Sequence, residues 1–140
     1  MAREPDAATL VLAAIHAGTR LRQALATALV PYGLTPEQHE LLELLAGGKT
    51  SPREICEVSG RDKTTLSRTI ARAARAGLLA PQRRTDDRRR QRLQLTDAGT
   101  TALEQSRRLL QKTAPKLLAA LSPKDRRRLE KALRKLAAAE

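Results

Sequence analysis

The sequence predicts a mainly α-helical protein with one small β-hairpin set between its fourth and fifth helices. Three observations carry that expectation. The core must be built from Leu, Ala, Ile and Val, because the chain has no Trp or Phe and only Tyr32 among the aromatics, and Leu and Ala favour helices over strands. Apolar residues recur at spacings of three and four behind Ser, Thr or Asp, the pattern of capped amphipathic helices. Only residues 80–96 break this pattern, with turn-forming residues followed by a strict alternation.

Taken in order, a first helix spans Asp6 to Val30, with Asp6 as N-cap and Leu10, Ala14, Ala17, Leu21, Leu25 and Ala28 along one stripe. Pro31-Tyr32-Gly33 ends it. Thr35, Pro36 and Gln38 form a capping box that starts a second helix running to Ala46, with Leu41, Leu42, Leu44 and Leu45 turned inward. Gly47-Gly48 stops it. Ser51-Pro52 opens a short third helix with Glu54 at the box position and Ile55, Cys56 and Val58 as its packing residues. After the turn Ser59-Gly60-Arg61, a fourth helix begins at Asp62 and ends at Gly77, with Leu66, Ile70 and Ala73 or Ala74 inward.

The hairpin follows. Thr85-Asp86-Asp87 is a turn-forming cluster, and Gln91 to Leu95 alternates polar with apolar residues. Thr96-Asp97 caps a fifth helix from Ala98 to Leu121, which Pro115 is expected to kink or break. Ser122-Pro123 caps the last helix, with Leu129, Leu133 and Leu136 inward.

Charge supplies the first functional clue. Lys plus Arg is 27 against 15 acidic residues, a formal net charge of +12, and such a field attracts polyanions. The charge is concentrated: from Arg61 to Arg92 there are eleven basic and three acidic residues, whereas a merely solvated face mixes signs. Two short helices joined by a glycine turn and followed by a basic hairpin form the layout of a winged helix-turn-helix. A major groove admits one helix whose outer face is small, polar and basic. The fourth helix fits, with Lys63, Thr64, Thr65, Arg68, Arg72 and Arg75 opposite Leu66 and Ile70. Arg53, at the start of the third helix, is placed to meet a phosphate or to be an ordinary surface residue. Double-stranded DNA is therefore the expected partner.

The segment from Tyr32 to Thr101 resembles the MarR family of bacterial regulators. The matching stretches are Gly33-Leu34-Thr35 with Gln38 and Leu45, Asp62 to Arg68, and Ala76 to Leu79. The most specific is Asp87-Arg88-Arg89 followed by Leu93-Gln94-Leu95-Thr96-Asp97-Ala98-Gly99. The resemblance implies that Asp87 braces the wing turn, that Arg89 enters a minor groove, and that Arg88 and Arg90 meet phosphates. A narrow groove concentrates the negative potential that attracts arginine. It also implies a homodimer built from the outer helices, acting on an inverted-repeat operator, most often as a repressor and often released by a small-molecule effector.

On this reading residues 1–31 form an N-terminal dimerisation helix, 32–97 the DNA-binding domain and 98–140 the C-terminal dimerisation helices. Leu10, Leu21, Leu129 and Leu133 are assigned either to the interface between protomers or to the intrachain core. His16, Arg20, Tyr32 and His39 are candidates for a polar effector pocket, against the plainer reading of surface or satisfied groups.

No enzyme is expected: no Ser/His/Asp set, phosphate-cradling loop or paired-carboxylate motif is present, and Glu37, Glu40 and Glu43 read as helix surface. No cofactor is implied, and two histidines and one cysteine lack the spacing of a metal site. Cys56 alone makes no internal disulfide and reads as packing. Ala7–Ile15 does not read as a leader and no stretch is long enough to span a bilayer, so a cytoplasmic, nucleoid-associated location without membrane contact is expected. The alternative is a nonspecific architectural DNA- or RNA-binding protein.

Overall fold

The computed structural model describes residues 3–82 and 91–139. Six helices and a two-stranded antiparallel sheet follow in the order α1 (Ala7–Leu29), α2 (Pro36–Ala46), α3 (Pro52–Ser59), α4 (Lys63–Arg75), β1 (Leu79–Pro81), β2 (Leu93–Leu95), α5 (Asp97–Leu117) and α6 (Pro123–Ala138). This is the winged helix-turn-helix within a mainly helical chain that the sequence predicts.

Local capping chemistry sets most of the boundaries. Asp6, Thr35, Ser51, Asp62, Thr96 and Ser122 each accept a backbone N–H from the first turn of the helix they precede, relieving one of the N–H groups a helix start leaves unpaired. The Thr35–Gln38 box closes reciprocally. At α3 the box is only half made, because Glu54 takes the Ser51 hydroxyl at 3.0 Å. Gly60 ends α3 with φ of +68°, a left-handed conformation that favours glycine, and so turns the chain sharply into α4.

Two clusters of buried side chains meet at α2. Leu41 and Leu45 pack with Ile55, Leu66, Ala73, Leu79 and Leu93, joining α2, α3, α4 and the sheet. Leu42, on another face of α2, packs with Leu29, Leu34 and Leu103, tying in α1 and α5. Leu78 and Leu95 touch both clusters.

The strands pair Leu79 with Leu95, Ala80 with Gln94 and Pro81 with Leu93. Thr50 extends this small sheet: its carbonyl accepts the Leu93 N–H at 2.8 Å, and its hydroxyl accepts from Arg92 at 3.0 Å.

Three expectations need correction. The fifth helix runs through Pro115 and ends two residues later. Pro115 costs the bond that a residue there would donate to the Gln111 carbonyl, and Arg126 from α6 donates to the Leu118 and Leu121 carbonyls just beyond the helix end. Val58 is exposed, because α3 is short: Ile55 is buried in the core and Cys56 packs half-buried against it, while Val58 is left outside. Leu129, Leu133 and Leu136 are exposed too, because α6 extends beyond both clusters. No helix among the described residues is long and apolar enough to cross a membrane.

Candidate nucleic-acid interface

The centre of the site is α4. Leu66 and Ala73 are buried and Ile70 is half-buried against the same core, which fixes the rotation of the helix. Ala74, the alternative inward residue, is exposed. The opposite face presents Lys63, Thr64, Thr65, Arg68, Arg72 and Arg75, all exposed. No acidic residue occurs between Lys63 and Arg75.

The start of α4 is pinned by Asp62, whose Oδ1 accepts the Thr65 N–H at 3.0 Å. Hydrogen bonds from Thr65, with the nearby Arg68 charge adding to them, hold the Asp62 carboxyl below the usual range. The cap is therefore a stable anion at neutral pH. The backbone N–H groups beyond it give the first turn of α4 a positive end.

A cleft of about 1100 Å³ opens beside α4. Lys63, Ser67, Ile70 and Ala71 of α4 form one wall, Pro52 and Arg53 of α3 a second, and Gln91 to Leu93 at the base of the wing a third. Helix α4 and the wing base therefore lie on the same side of the molecule. The floor is apolar, through Leu66, Cys56 and Leu93, and the rim carries Arg53, Arg61, Lys63 and Arg92. A shallower groove along Arg68, Arg72 and Arg75 continues this basic surface. Glu54 is the one acidic residue among the described residues that line these two grooves, and an elongated, predominantly basic surface along a helix is suited to a polyanion with grooves.

Arg53 stands apart from the α4 cations, because Glu57 lies one turn along α3 with its Oε1 3.4 Å from the Arg53 Nε. Cys56 is half-buried and lines the cleft, so it is less enclosed than its apolar neighbours suggest. Asp87, Arg88, Arg89 and Arg90 lie outside the described residues.

The four residues proposed from sequence for an effector pocket are not gathered at one place in the chain. His16 and Arg20 are exposed on α1, and Tyr32 is exposed in the single 3₁₀ turn that follows it. The sixteen steps from His16 to Tyr32 span about 24 Å at the helical rise of 1.5 Å each. His39 has internal partners. Its Nδ1 lies 2.8 Å from the buried Ser106 Oγ, whose hydroxyl donates to the Leu103 carbonyl at 3.0 Å. That arrangement assigns the ring proton to Nδ1. Nε2 faces Glu43 Oε1 at 3.6 Å. Burial lowers the His39 pKa, helped by Arg107 and opposed by Glu43 and Glu40.

The glutamates of α2, read from sequence as plain surface, are cross-links. Glu37 is paired with Arg22 of α1, Glu40 with Arg61 of the α3–α4 turn at 3.2 Å, and Glu43 with Arg107 of α5 through two bonds of 2.7 and 2.8 Å. Burial pushes the Glu37 carboxyl up, but the hydrogen bond and charge of Arg22, with the charge of Arg61, bring it below the usual range. The Arg107 hydrogen bond does the same for Glu43 against its partial burial. Sequence offered one signal for these contacts: three Glu at three-residue spacing in a strongly basic chain.

A family model described as the MarR family matches residues 32–90. A comparison with curated proteins found no match. Among solved structures, a cysteine-to-serine mutant of E. coli MarR complexed with operator DNA is 23% identical, with a TM-score of 0.83 over 91% of this chain and 93% of that one. The M. tuberculosis transcriptional regulator MosR in complex with DNA is 28% identical, with a TM-score of 0.78 over 91% and 92% of the two chains. The organohalide-sensing regulator RdhR, bound to 2,4-dichlorophenol, is 17% identical, with a TM-score of 0.82 over 96% and 85%. The winged segment, residues 32–90, thus matches the MarR family, and the whole chain shares the fold of these winged helix-turn-helix transcriptional regulators.

Proposed function

We propose that this protein is a sequence-specific, double-stranded-DNA-binding regulator that acts as a homodimer on an inverted-repeat operator, as a repressor in the cytoplasm at the nucleoid. The observation that carries the reading is the shared cleft: α4 and the wing base border one basic surface, with α4 free of acidic residues. Thr64, Thr65, Arg68 and Arg72 read base edges in the major groove, while Lys63 and Arg53 meet phosphates. Arg89 enters the adjacent minor groove, Arg88 and Arg90 flank it on the backbone, and Asp87 braces the wing turn. That both MarR and MosR have been crystallised with DNA supports DNA as the partner.

The dimer reading draws on the outer helices. Leu10 and Ile15 of α1 and Leu133 of α6 are each more than half exposed in one protomer, and Leu21 and Leu129 are 38% and 39% exposed. Exposed apolar rows of that extent ask for a partner. A second copy, joined through segments 1–31 and 98–140, would set two α4 helices on successive major grooves about 34–36 Å apart. The dichlorophenol complex of RdhR supports release of DNA by a small-molecule effector.

The test is selection of duplexes from a random-sequence pool, followed by titration of the selected duplex and a scrambled one. The expected result is an inverted repeat, preferred by about 10³-fold or more. Arg72→Ala and Arg89→Ala should each weaken binding and lower the salt slope where they displace counterions. Equal affinity for the two duplexes would instead indicate a nonspecific architectural binder.

A further inference from the structure

The three glutamates of α2 are spaced so that each reaches a different neighbour. At 3.6 residues per turn, every three-residue step falls roughly 60° short of a full turn. Glu37, Glu40 and Glu43 therefore fan across about 120° of the helix surface. Glu37 meets Arg22 on α1 and Glu43 meets Arg107 on α5, so the outer two fasten α2 to the long helices. The middle one, Glu40, meets Arg61, the residue immediately before the N-cap of the recognition helix.

We infer that the Glu40–Arg61 pair is a positioning device for the recognition helix, setting where α4 begins relative to α2 and, through Glu37 and Glu43, relative to α1 and α5. The inference rests on the DNA-binding reading above. Arg61 is well placed for this role. Gly60 closes α3 in the left-handed region and Asp62 caps α4, so Arg61 is the one residue between the end of one helix and the cap of the next. Its N–H donates to Ser59 Oγ at 3.3 Å, and its Nη2 donates to Glu40 Oε2 at 3.2 Å. The side chain is two-thirds buried, and its Nε is enclosed with no hydrogen-bond partner among the described residues. The charge is thus drawn inward toward α2, while Lys63, two residues later, stands exposed. A helix whose N-terminal turn must meet base edges tolerates little displacement, and residues that lock such a turn act without touching the DNA.

The competing role is direct: Arg61 as one more phosphate contact on the cleft rim, with Glu40 merely holding it back. The two roles predict opposite signs for Glu40→Gln. If Arg61 positions α4, losing the carboxylate frees the turn and weakens specific binding. If Arg61 grips phosphate, losing the carboxylate releases a cation and strengthens binding.

The experiment uses the full chain and a duplex selected from random-sequence DNA by the wild-type protein. Glu40→Gln, Arg61→Gln and the charge exchange Glu40→Arg with Arg61→Glu are titrated with that duplex and with a scrambled one. Amide hydrogen exchange is read in parallel across residues 63–66. We expect each single variant to bind the selected duplex about three- to fivefold more weakly, the scale of a partly exposed ion pair. Glu40→Gln should bind scrambled DNA no more weakly than wild type. Both singles should lose protection in the first turn of α4, and the charge exchange should restore it. Tighter binding by Glu40→Gln, with unchanged protection and a salt slope lowered by about one in Arg61→Gln, would overturn the inference. If the wild type selects no duplex, the DNA-binding reading fails by itself, and exchange at residues 63–66 still decides whether the pair holds the turn.

Discussion

Replacing Gly99 with alanine tests the joint between the winged core and α5. A Cβ built on Gly99 would lie 1.9 Å from the Leu78 carbonyl oxygen and 2.9 Å from its carbon, where ordinary contact begins near 3.4 Å. Backbone, not a flexible side-chain tip, stands in the way, so α5 must retreat by roughly 1.5 Å. It is poorly free to do so. The Thr96 N–H donates to that same Leu78 carbonyl at 3.1 Å, the Thr96 hydroxyl donates to Gly77, and Leu103 is buried one turn further on. Overpacking of this kind costs about 1–3 kcal/mol, and disturbing the Thr96 hydrogen bond adds about 1 kcal/mol. The gain in helix propensity from Gly to Ala returns about 1 kcal/mol. The net expectation is a loss of about 2 kcal/mol. Urea unfolding followed by far-UV circular dichroism measures it, at one fixed protein concentration because association shifts apparent stability. A variant as stable as wild type, or more stable by the propensity gain, would show that α5 does not sit against Leu78 as described.

Two further outcomes follow from the same structure. The His39 pKa is lowered by burial, so the unfolded chain takes up a proton first as pH falls; stability present above about pH 6.5 declines below it and levels off beneath the lowered native value. His39→Gln should flatten the dependence of the urea midpoint on pH between about 7.5 and 5.5, and an unchanged slope would assign that dependence to other groups. Leu133→Glu places a charge on an apolar row that one protomer leaves exposed. On the proposed dimer, sedimentation should report dimer for the wild type and monomer for the variant, with the helical content of each chain retained; a dimer that persists in the variant would place the interface elsewhere.

Features governed by neighbouring residues were legible in the sequence. The caps at Asp6, Thr35, Ser51, Asp62, Thr96 and Ser122 depend on groups within a turn of each other, and each forms as read. The outward face of α4 was legible for the same reason, since 3.6-residue periodicity with Leu66 and Ile70 inward dictates it. The contacts of α2 were not. Arg22, Arg61 and Arg107 lie 15, 21 and 64 residues from their glutamates, and periodicity carries no information about such partners. The closing Gly99 of the wing signature was readable as part of a pattern, but the reason only glycine fits appears once the Leu78 carbonyl is seen against it. The apolar rows of α1 and α6 are periodic in the sequence, yet periodicity does not say what covers them, and Leu129, Leu133 and Leu136, read as inward, are exposed.

The place where local preference and observed structure conflict most is also the place assigned to DNA. Standing alone, α4 is a poor helix: it holds Thr64, Thr65 and Thr69, which helices disfavour, and sets Arg68 against Arg72 one turn apart. It persists because Asp62 caps its start and Leu66, Ile70 and Ala73 anchor one face in the core. The acidic residues that could relieve its repulsion are used elsewhere, on α2, to hold the helices around it. Selection for stability alone would have placed a glutamate one turn from Arg68 or Arg72 on the exposed face. Its absence makes sense if the neutralising charge arrives from outside, as phosphate along the very surface where α4 and the wing base meet.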